Sequence, residues 1–318
     1  MLFRSAAQAV TVPLGPQFSN GVPTFRLWAP TAQSVSITVN GATTALTEDT
    51  NTGVWAYTGT ADLQNSATYT YAIKVYARTD GQAIRTYTTT DPYATGVDAA
   101  NPSATPVQHA VAIDLDSAAT YPADWATQGR PAVTRAADVV LYELHVRDFS
   151  ANDASVPAED RGKFLAFSHS QSAGMQHLAG LAAAGLTHVH LLPTYDLGSV
   201  PDTGCTTPSI TNTDPVSQGP QTTVAATAAT DCFNWGYDPW HYTTPDGAYA
   251  SRVGDGAARI VEFRRMVQAL NAAGLRVGMD VVYNHTSASG QNDRSVLDRI
   301  VPGYYHRLDA SGRITQST

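Results

Sequence analysis

Residues 260–285 read IVEFRRMVQALNAAGLRVGMDVVYNH. Ile260, Phe263, Val267 and Leu270 recur three and four apart, which puts them on one face of a helix, and Gly274 follows where a C-terminal cap belongs. The next apolar run, 276–283, is too short for a second helix and suits a buried strand. The same alternation occurs upstream. Residues 139–145 form a short apolar run; Met175, Leu178, Leu181 and Ala182 then fall at helical spacing before Gly185, and 187–192 form a second apolar strand. Strand, helix, strand, helix, strand predicts a parallel sheet joined by right-handed crossovers.

Before residue 116 the pattern is different. Val35, Ile37 and Val39 alternate with polar residues up to Asn40-Gly41, and Tyr69, Tyr71, Ile73 and Val75 alternate up to Asp80-Gly81. Asn-Gly and Asp-Gly between alternating runs signal hairpins. With runs at 24–28, 54–57, 83–89 and 107–113 there are six or seven strands and no long helix, which predicts a small all-β sandwich over 20–115. Trp28 and Trp55 could offer stacking platforms, but in a sandwich of this size packing is the simpler role. Pro122, Gly129 and Pro131 make 116–135 a linker by composition. The expected organisation is therefore a 1–19 extension, a 20–115 sandwich, a 116–135 linker and an α/β unit over 136–318.

Composition limits the function. The chain has 318 residues, 43% hydrophobic and 14% charged, enough for two folded units. Nineteen basic against 27 acidic residues give a net charge of −8 with no Lys/Arg cluster, so a polyanion-binding footprint is missing and no nucleic-acid partner is expected. No apolar run has the length to cross a bilayer, and residues 1–10 have no apolar core of a signal peptide. Cys205 and Cys232 bracket a stretch rich in Thr, Ala, Ser and Pro, which reads as a stapled loop; two free thiols are the alternative. A disulfide here would remove unfolded-chain entropy worth roughly 3 to 4 kcal/mol and would imply an oxidising compartment.

The chemistry concentrates in two places. Phe233-Asn234-Trp235-Gly236-Tyr237-Asp238-Pro239 packs rings, a glycine and an amide into a loop, and Asp280-Val281-Val282-Tyr283-Asn284-His285 carries a strand to an Asn-His end. Rings such as Trp235 and Tyr237 stack on the C–H faces of sugars, with Asn234 and Asp238 as a polar rim. Their blander role is to seal the loop. His285, at a strand end, is a candidate substrate contact. Asp280 lies inside the strand between Met279 and Val281, so it must be paired if ionised, and a buried structural carboxylate is expected. His188 and His190 share a strand face as metal ligands can, although no further His or Cys groups with them. Glu143, His145, Arg147 and Asp148 close the first strand and suit a floor and loop-anchoring network. Gly254-Asp255-Gly256 precedes a helix but lacks the lysine and the leading strand of a phosphate loop.

At these residues the chain resembles the pullulanase and limit dextrinase group of the α-amylase superfamily, glycoside hydrolase family 13. Residues 233–239 match its Tyr/Phe-Asn-Trp-Gly-Tyr-Asp/Asn-Pro motif, and 280–285 match the superfamily's first signature region. Residues 142–150, 188–193 and 249–251 support the likeness, which covers roughly 20–318. The resemblance implies that the sandwich is a starch- and glycogen-binding-module-like domain and that 136–318 form the first three β/α units of a (β/α)8 TIM barrel. It implies retaining hydrolysis of α-1,6 branch linkages in pullulan, starch or glycogen dextrins, with α-glucan as partner and no required cofactor, calcium being possible. Tyr237 would stack on the glucose in the cleaved subsite, His285 would bond its 6-hydroxyl region, and Asp280 and Asn284 would support the site. The full protein would be secreted, periplasmic or at the cell surface. Retaining glycosidases need two carboxyl groups about 5 to 5.5 Å apart; in this superfamily they end strands four and five, which are expected after Thr318. The chain alone is therefore expected to be inactive. A non-catalytic glucan-binding protein and a metal-dependent hydrolase using His188 and His190 are the other expectations.

Overall fold

The computed structural model describes residues 9, 11–78, 80–98, 108–211, 214, 216–228, 230–231 and 233–315. Nine strands come first: β1 (Gly15–Ser19), β2 (Val22–Trp28), β3 (Ala32–Val39), β4 (Ala42–Ala45), β5 (Thr47–Asp49), β6 (Val54–Thr58), β7 (Thr68–Ala77), β8 (Ala83–Thr89) and β9 (Ala110–Val111). They form one antiparallel sheet in the order β1-β2-β6-β5 and another in the order β4-β3-β7-β8, with β9 added to β7. The alternation on β3 and β7 buries Val35, Ile37, Tyr69, Tyr71, Ile73 and Val75 in one core with Phe25 and Leu27 of β2. The β3–β4 hairpin turns at Asn40 and Gly41, both at positive φ as a two-residue loop requires. Trp28 and Trp55 are buried and donate their indole N–H to the carbonyls of Thr52 and Ala29 at 3.1 and 3.0 Å, which gives them a packing role.

One boundary needs correction. β1 falls inside the segment expected to be an N-terminal extension, and it pairs with β2 from Gly15↔Arg26 to Ser19↔Val22. Its sequence shows little alternation: burial falls along the strand, from buried Gly15 and Pro16 to exposed Ser19. The expected strand at 107–113 shortens to β9; residue 107 lies outside the described residues.

The second half contains five strands, β10 (Leu141–Leu144), β11 (His188–Leu191), β12 (Tyr195–Leu197), β13 (Pro239–Pro245) and β14 (Arg276–Met279). Its helices are α1 (Val146–Ser150), α2 (Ala173–Ala183), α3 (Gly219–Thr227), α4 (Gly256–Ala272) and α5 (Leu297–Ile300). β10, β11 and β14 make the expected parallel sheet, in register from Leu141↔His188 and His188↔Arg276. Val189, Leu191 and Leu144 pack with Met175 and Leu178 of α2 and Met266 and Leu270 of α4 in a second core. Fully burying side chains such as Met266 and Leu270 contributes roughly 2 to 3 kcal/mol each. Asp255 caps α4 by accepting from Ala258 N at 2.9 Å, so Gly254-Asp255-Gly256 starts a helix rather than cradling a phosphate.

All three parallel strands are shorter than the apolar runs that encode them. β14 ends at Met279, and the last bond to its neighbour is Asp280 N to Leu191 O at 2.8 Å. Asp280 is therefore half-exposed just beyond the strand, not buried within it. Its partner strand stops at Leu191, and a strand without a neighbour cannot continue its ladder.

The two halves are bonded together. Arg299 on α5 donates to Thr88 O at 2.7 Å, Thr89 Oγ1 donates to Ser295 O at 3.3 Å, and Trp28 meets Tyr304 edge-on at 4.8 Å. His241 of β13 links Thr90 Oγ1 at 2.9 Å to Asp196 at 2.7 Å, all three buried. The linker wraps α4, placing Arg264 over the rings of Tyr121 and Trp125 at 4.8 and 5.3 Å.

Candidate functional site

The loop 233–238 is tied down by three strand ends. From β10, His145 Nε2 lies 2.7 Å from Asn234 O. A carbonyl only accepts, so Nε2 carries the proton, and Nδ1 in turn accepts from Asp148 N at 3.2 Å, capping α1. Beyond β11, Tyr195 donates its hydroxyl to Gly236 O at 2.9 Å. Past β14, His285 Nε2 donates to Tyr237 O at 2.6 Å, and Asp280 accepts from the Tyr237 hydroxyl at 2.8 Å. Within the loop, Asn234 Oδ1 accepts from Gly236 N at 2.6 Å, while its amide nitrogen donates to Ser199 Oγ.

Gly236 makes the turn possible. Its φ is +91°, and a Cβ there would lie 2.8 Å from Pro193 Cβ and 3.0 Å from Pro193 O. The loop backbone thus lies flat against the end of β11 and throws its neighbouring rings outward. Trp235 is 62% exposed and Tyr237 38%. Phe233 packs beside the end of β10, with Arg147 over its ring at 6.0 Å and His145 at 5.9 Å.

The Tyr237 hydroxyl is pushed up to about 12 by burial and by its bond to Asp280, so it stays a neutral donor. Burial also raises the Asp238 carboxyl, which is half-buried at the loop's end. Beside His285 opens a cleft of about 750 Å³ lined by Tyr242, Tyr283, Asn284, Tyr305, His306 and Arg307. Tyr242 donates to His285 O at 2.8 Å and its ring lies 5.4 Å from that of Tyr283, which is 76% exposed. Exposed ring faces beside a neutral phenol, an imidazole and a carboxylate suit a neutral polyhydroxylated ligand.

The structure brings Asn234, Tyr237, Asp280 and His285 into one hydrogen-bonded group, with Trp235 and Asp238 on the same loop. Asn284 is exposed and lines the cleft beside His285. Tyr195 and Tyr242 are anchors that motif reading passed over. The only signal for Tyr195 is its place two residues after Pro193, at a strand end. Cys205 is disulfide-bonded; Cys232, the partner expected from the sequence, lies outside the described residues.

Residues 13–94 match carbohydrate-binding module 48 (isoamylase N-terminal domain). Pullulanase from Klebsiella pneumoniae is 37% identical over 99% of this chain, and chloroplastic pullulanase 1 from Arabidopsis thaliana is 40% identical over 96%. The crystal structure of apo pullulanase from K. pneumoniae superposes on 97% of the chain with a TM-score of 0.86 and 36% identity. The chain is of pullulanase type. It spans about a third of these curated relatives, 33% and 32% of their lengths, and 38% of the crystallised chain. The pullulanase-type likeness therefore covers both the sandwich and the parallel sheet that holds the loop. A further K. pneumoniae pullulanase structure, solved with maltotriose, matches 97% of the chain with a TM-score of 0.85.

A pullulanase-type chain raises the question of calcium. Among the described residues, one group of three His, Cys, Asp or Glu side chains has ligand atoms mutually within 4.8 Å: Asp196, Asp202 and Asp246, all buried. Hard carboxylate oxygens suit calcium. Here, however, Asp202 accepts from Arg259 at 2.9 Å, Asp196 meets His241 at 2.7 Å, and Asp246 accepts from Leu197 N and Ala248 N at 2.9 and 2.8 Å. The guanidinium of Arg259 already supplies the buried positive charge, so these residues do not fit a second cation. They form an internal ion-pair network in which burial and the neighbouring carboxylates push Asp246 well up. His188 and His190 fall outside this group; His188 bonds Thr187 Oγ1 at 2.8 Å, and among the described residues neither joins a set of three such ligands.

Proposed function

We propose that the chain is the sugar-holding part of a retaining debranching hydrolase acting on α-1,6-glucosidic linkages in pullulan, starch or glycogen dextrins. One observation carries this reading. Tyr237 is bonded through its hydroxyl to Asp280 and through its carbonyl to His285, which joins the aromatic loop and the strand end into a single wall. Asp280 fixes the tilt of the Tyr237 ring, which offers its face to a glucose unit. Trp235 adds a second exposed platform. His285 uses Nε2 on the loop, and among the described residues Nδ1 has no hydrogen-bond partner, so it is the nitrogen we assign to a sugar hydroxyl.

Bond cleavage with retention needs a nucleophile and an acid/base about 5 to 5.5 Å apart. We assign both to the part of the longer relatives that this chain does not match. We regard the three-stranded parallel sheet as the opening units of a (β/α)8 barrel, and the sandwich, which buries its tryptophans, as its packing partner. We also place the full protein in an oxidising compartment, since Cys205 is disulfide-bonded.

The test is affinity electrophoresis of the chain in pullulan and in glycogen, with a reducing-sugar assay alongside. Retardation without sugar release fits the proposal. Release of reducing ends by the chain alone would overturn the assignment of the carboxylates elsewhere, and an unretarded chain would overturn the wall.

A further inference from the structure

We infer that His145 is the positioning residue of the aromatic loop, a role that rests on the sugar-holding function proposed above. Its imidazole is buried at the end of β10 and uses both nitrogens: Nδ1 accepts from Asp148 N at 3.2 Å, and Nε2 donates to Asn234 O at 2.7 Å. Tyr249 places its hydroxyl 3.3 Å from the same Nε2 and its ring edge-on at 5.9 Å, which leaves the imidazole one orientation. Asn234 is the residue directly before Trp235, and its side chain holds Gly236 N. The bond from His145 therefore fixes the peptide from which the exposed Trp235 springs.

Ser199 holds only the Asn234 side chain, and the two other backbone anchors act later along the loop. Tyr195 holds Gly236 O and His285 holds Tyr237 O. Without His145 the loop would keep its Tyr237 end and lose the backbone tie at its Trp235 end. His145 is buried behind the loop and bonded to its backbone, so its effect on sugar binding passes through the loop.

Two substitutions separate its two bonds. In His145→Asn, the short amide reaches the Nδ1 position and keeps the cap on α1, but it cannot reach Asn234 O. In His145→Gln, an amide nitrogen sits near the Nε2 position and restores that bond. Two readouts are measured on the whole chain: acrylamide quenching of Trp235, taken as the difference from Trp235→Phe in each background and without any glucan, and retardation in pullulan gels. His145→Asn is expected to change Trp235 quenching and to weaken retardation about fivefold, the size of one lost hydrogen bond. His145→Gln is expected to stay within about twofold of the parent in both. Trp235 quenching unchanged in His145→Asn, or altered equally in both variants, would overturn the role. Because quenching is read without sugar, failure of the parent to bind pullulan would sink the proposed function and leave the positioning role to be decided by quenching.

Discussion

At the scale of the residue, the wall depends on a few side chains with separable jobs. Trp235 is mostly exposed, so Trp235→Ala is expected to leave stability within about 0.5 kcal/mol and to weaken pullulan retardation about tenfold. Urea unfolding and gel retardation check the two halves. Tyr237→Phe keeps the ring and drops the bond to Asp280, and a smaller loss of about threefold is expected in the same gels. Gly236→Ala tests the backbone. A Cβ at φ +91° and 2.8 Å from Pro193 Cβ forces the loop off β11, so binding is expected to fall by about fivefold or more, while the melting temperature drops by only a few degrees. Most of these residues were legible because their types are unusual together: two rings around a glycine, and Asn-His after an apolar run. Asp280 was misplaced because Val281 and Val282 extend the apolar run although the ladder has ended.

At the scale of the element, periodicity marked what a face buries. α4 carries its stripe from Ile260, packed on Val111 and Ile113, to Met266 and Leu270 in the second core. Leu270→Ala is expected to cost about 2 to 5 kcal/mol in urea unfolding, whereas Val224→Ala on the exposed α3 should change it by less than about 0.5 kcal/mol. β12 and β13 left no such mark. β13 begins and ends in proline and β12 has three residues, and beside the apolar contacts of Tyr195, Leu197 and Trp240 they are joined by the buried polar network of Asp196, His241 and Thr90. Contacts of that kind join residues 45 and 151 positions apart, which no local window contains.

At the scale of the whole molecule, the sandwich core contains a pH-dependent weakness. Asp91 is fully buried, accepts from Tyr69 at 2.8 Å, and is pushed up to about 6 from 3.8, chiefly by desolvation. Its folded value exceeds its unfolded value, so the folded state binds the extra proton between these two points. The associated stability is present below pH about 4 and is lost as pH rises through about 6, a change on the order of 3 kcal/mol. Asp91→Asn is expected to flatten that part of the stability profile in urea unfolding at pH 4 to 7. An unchanged slope would show that another group titrates there. The second half bears a different weakness: Leu141 at one edge and Met279, Val281 and Tyr283 at the other are exposed. Residues 135–318 alone are therefore expected to bind 1-anilinonaphthalene-8-sulfonate and self-associate, as light scattering would show.

The central claim is that loop 233–238 and the strand end at His285 form one sugar-holding wall. Its most direct measurement is affinity electrophoresis of the chain in pullulan beside a Trp235→Ala/Tyr237→Ala double variant with an intact fold by circular dichroism. The account predicts that the chain is retarded and the double variant is not. Equal retardation of both, or of neither, would contradict it.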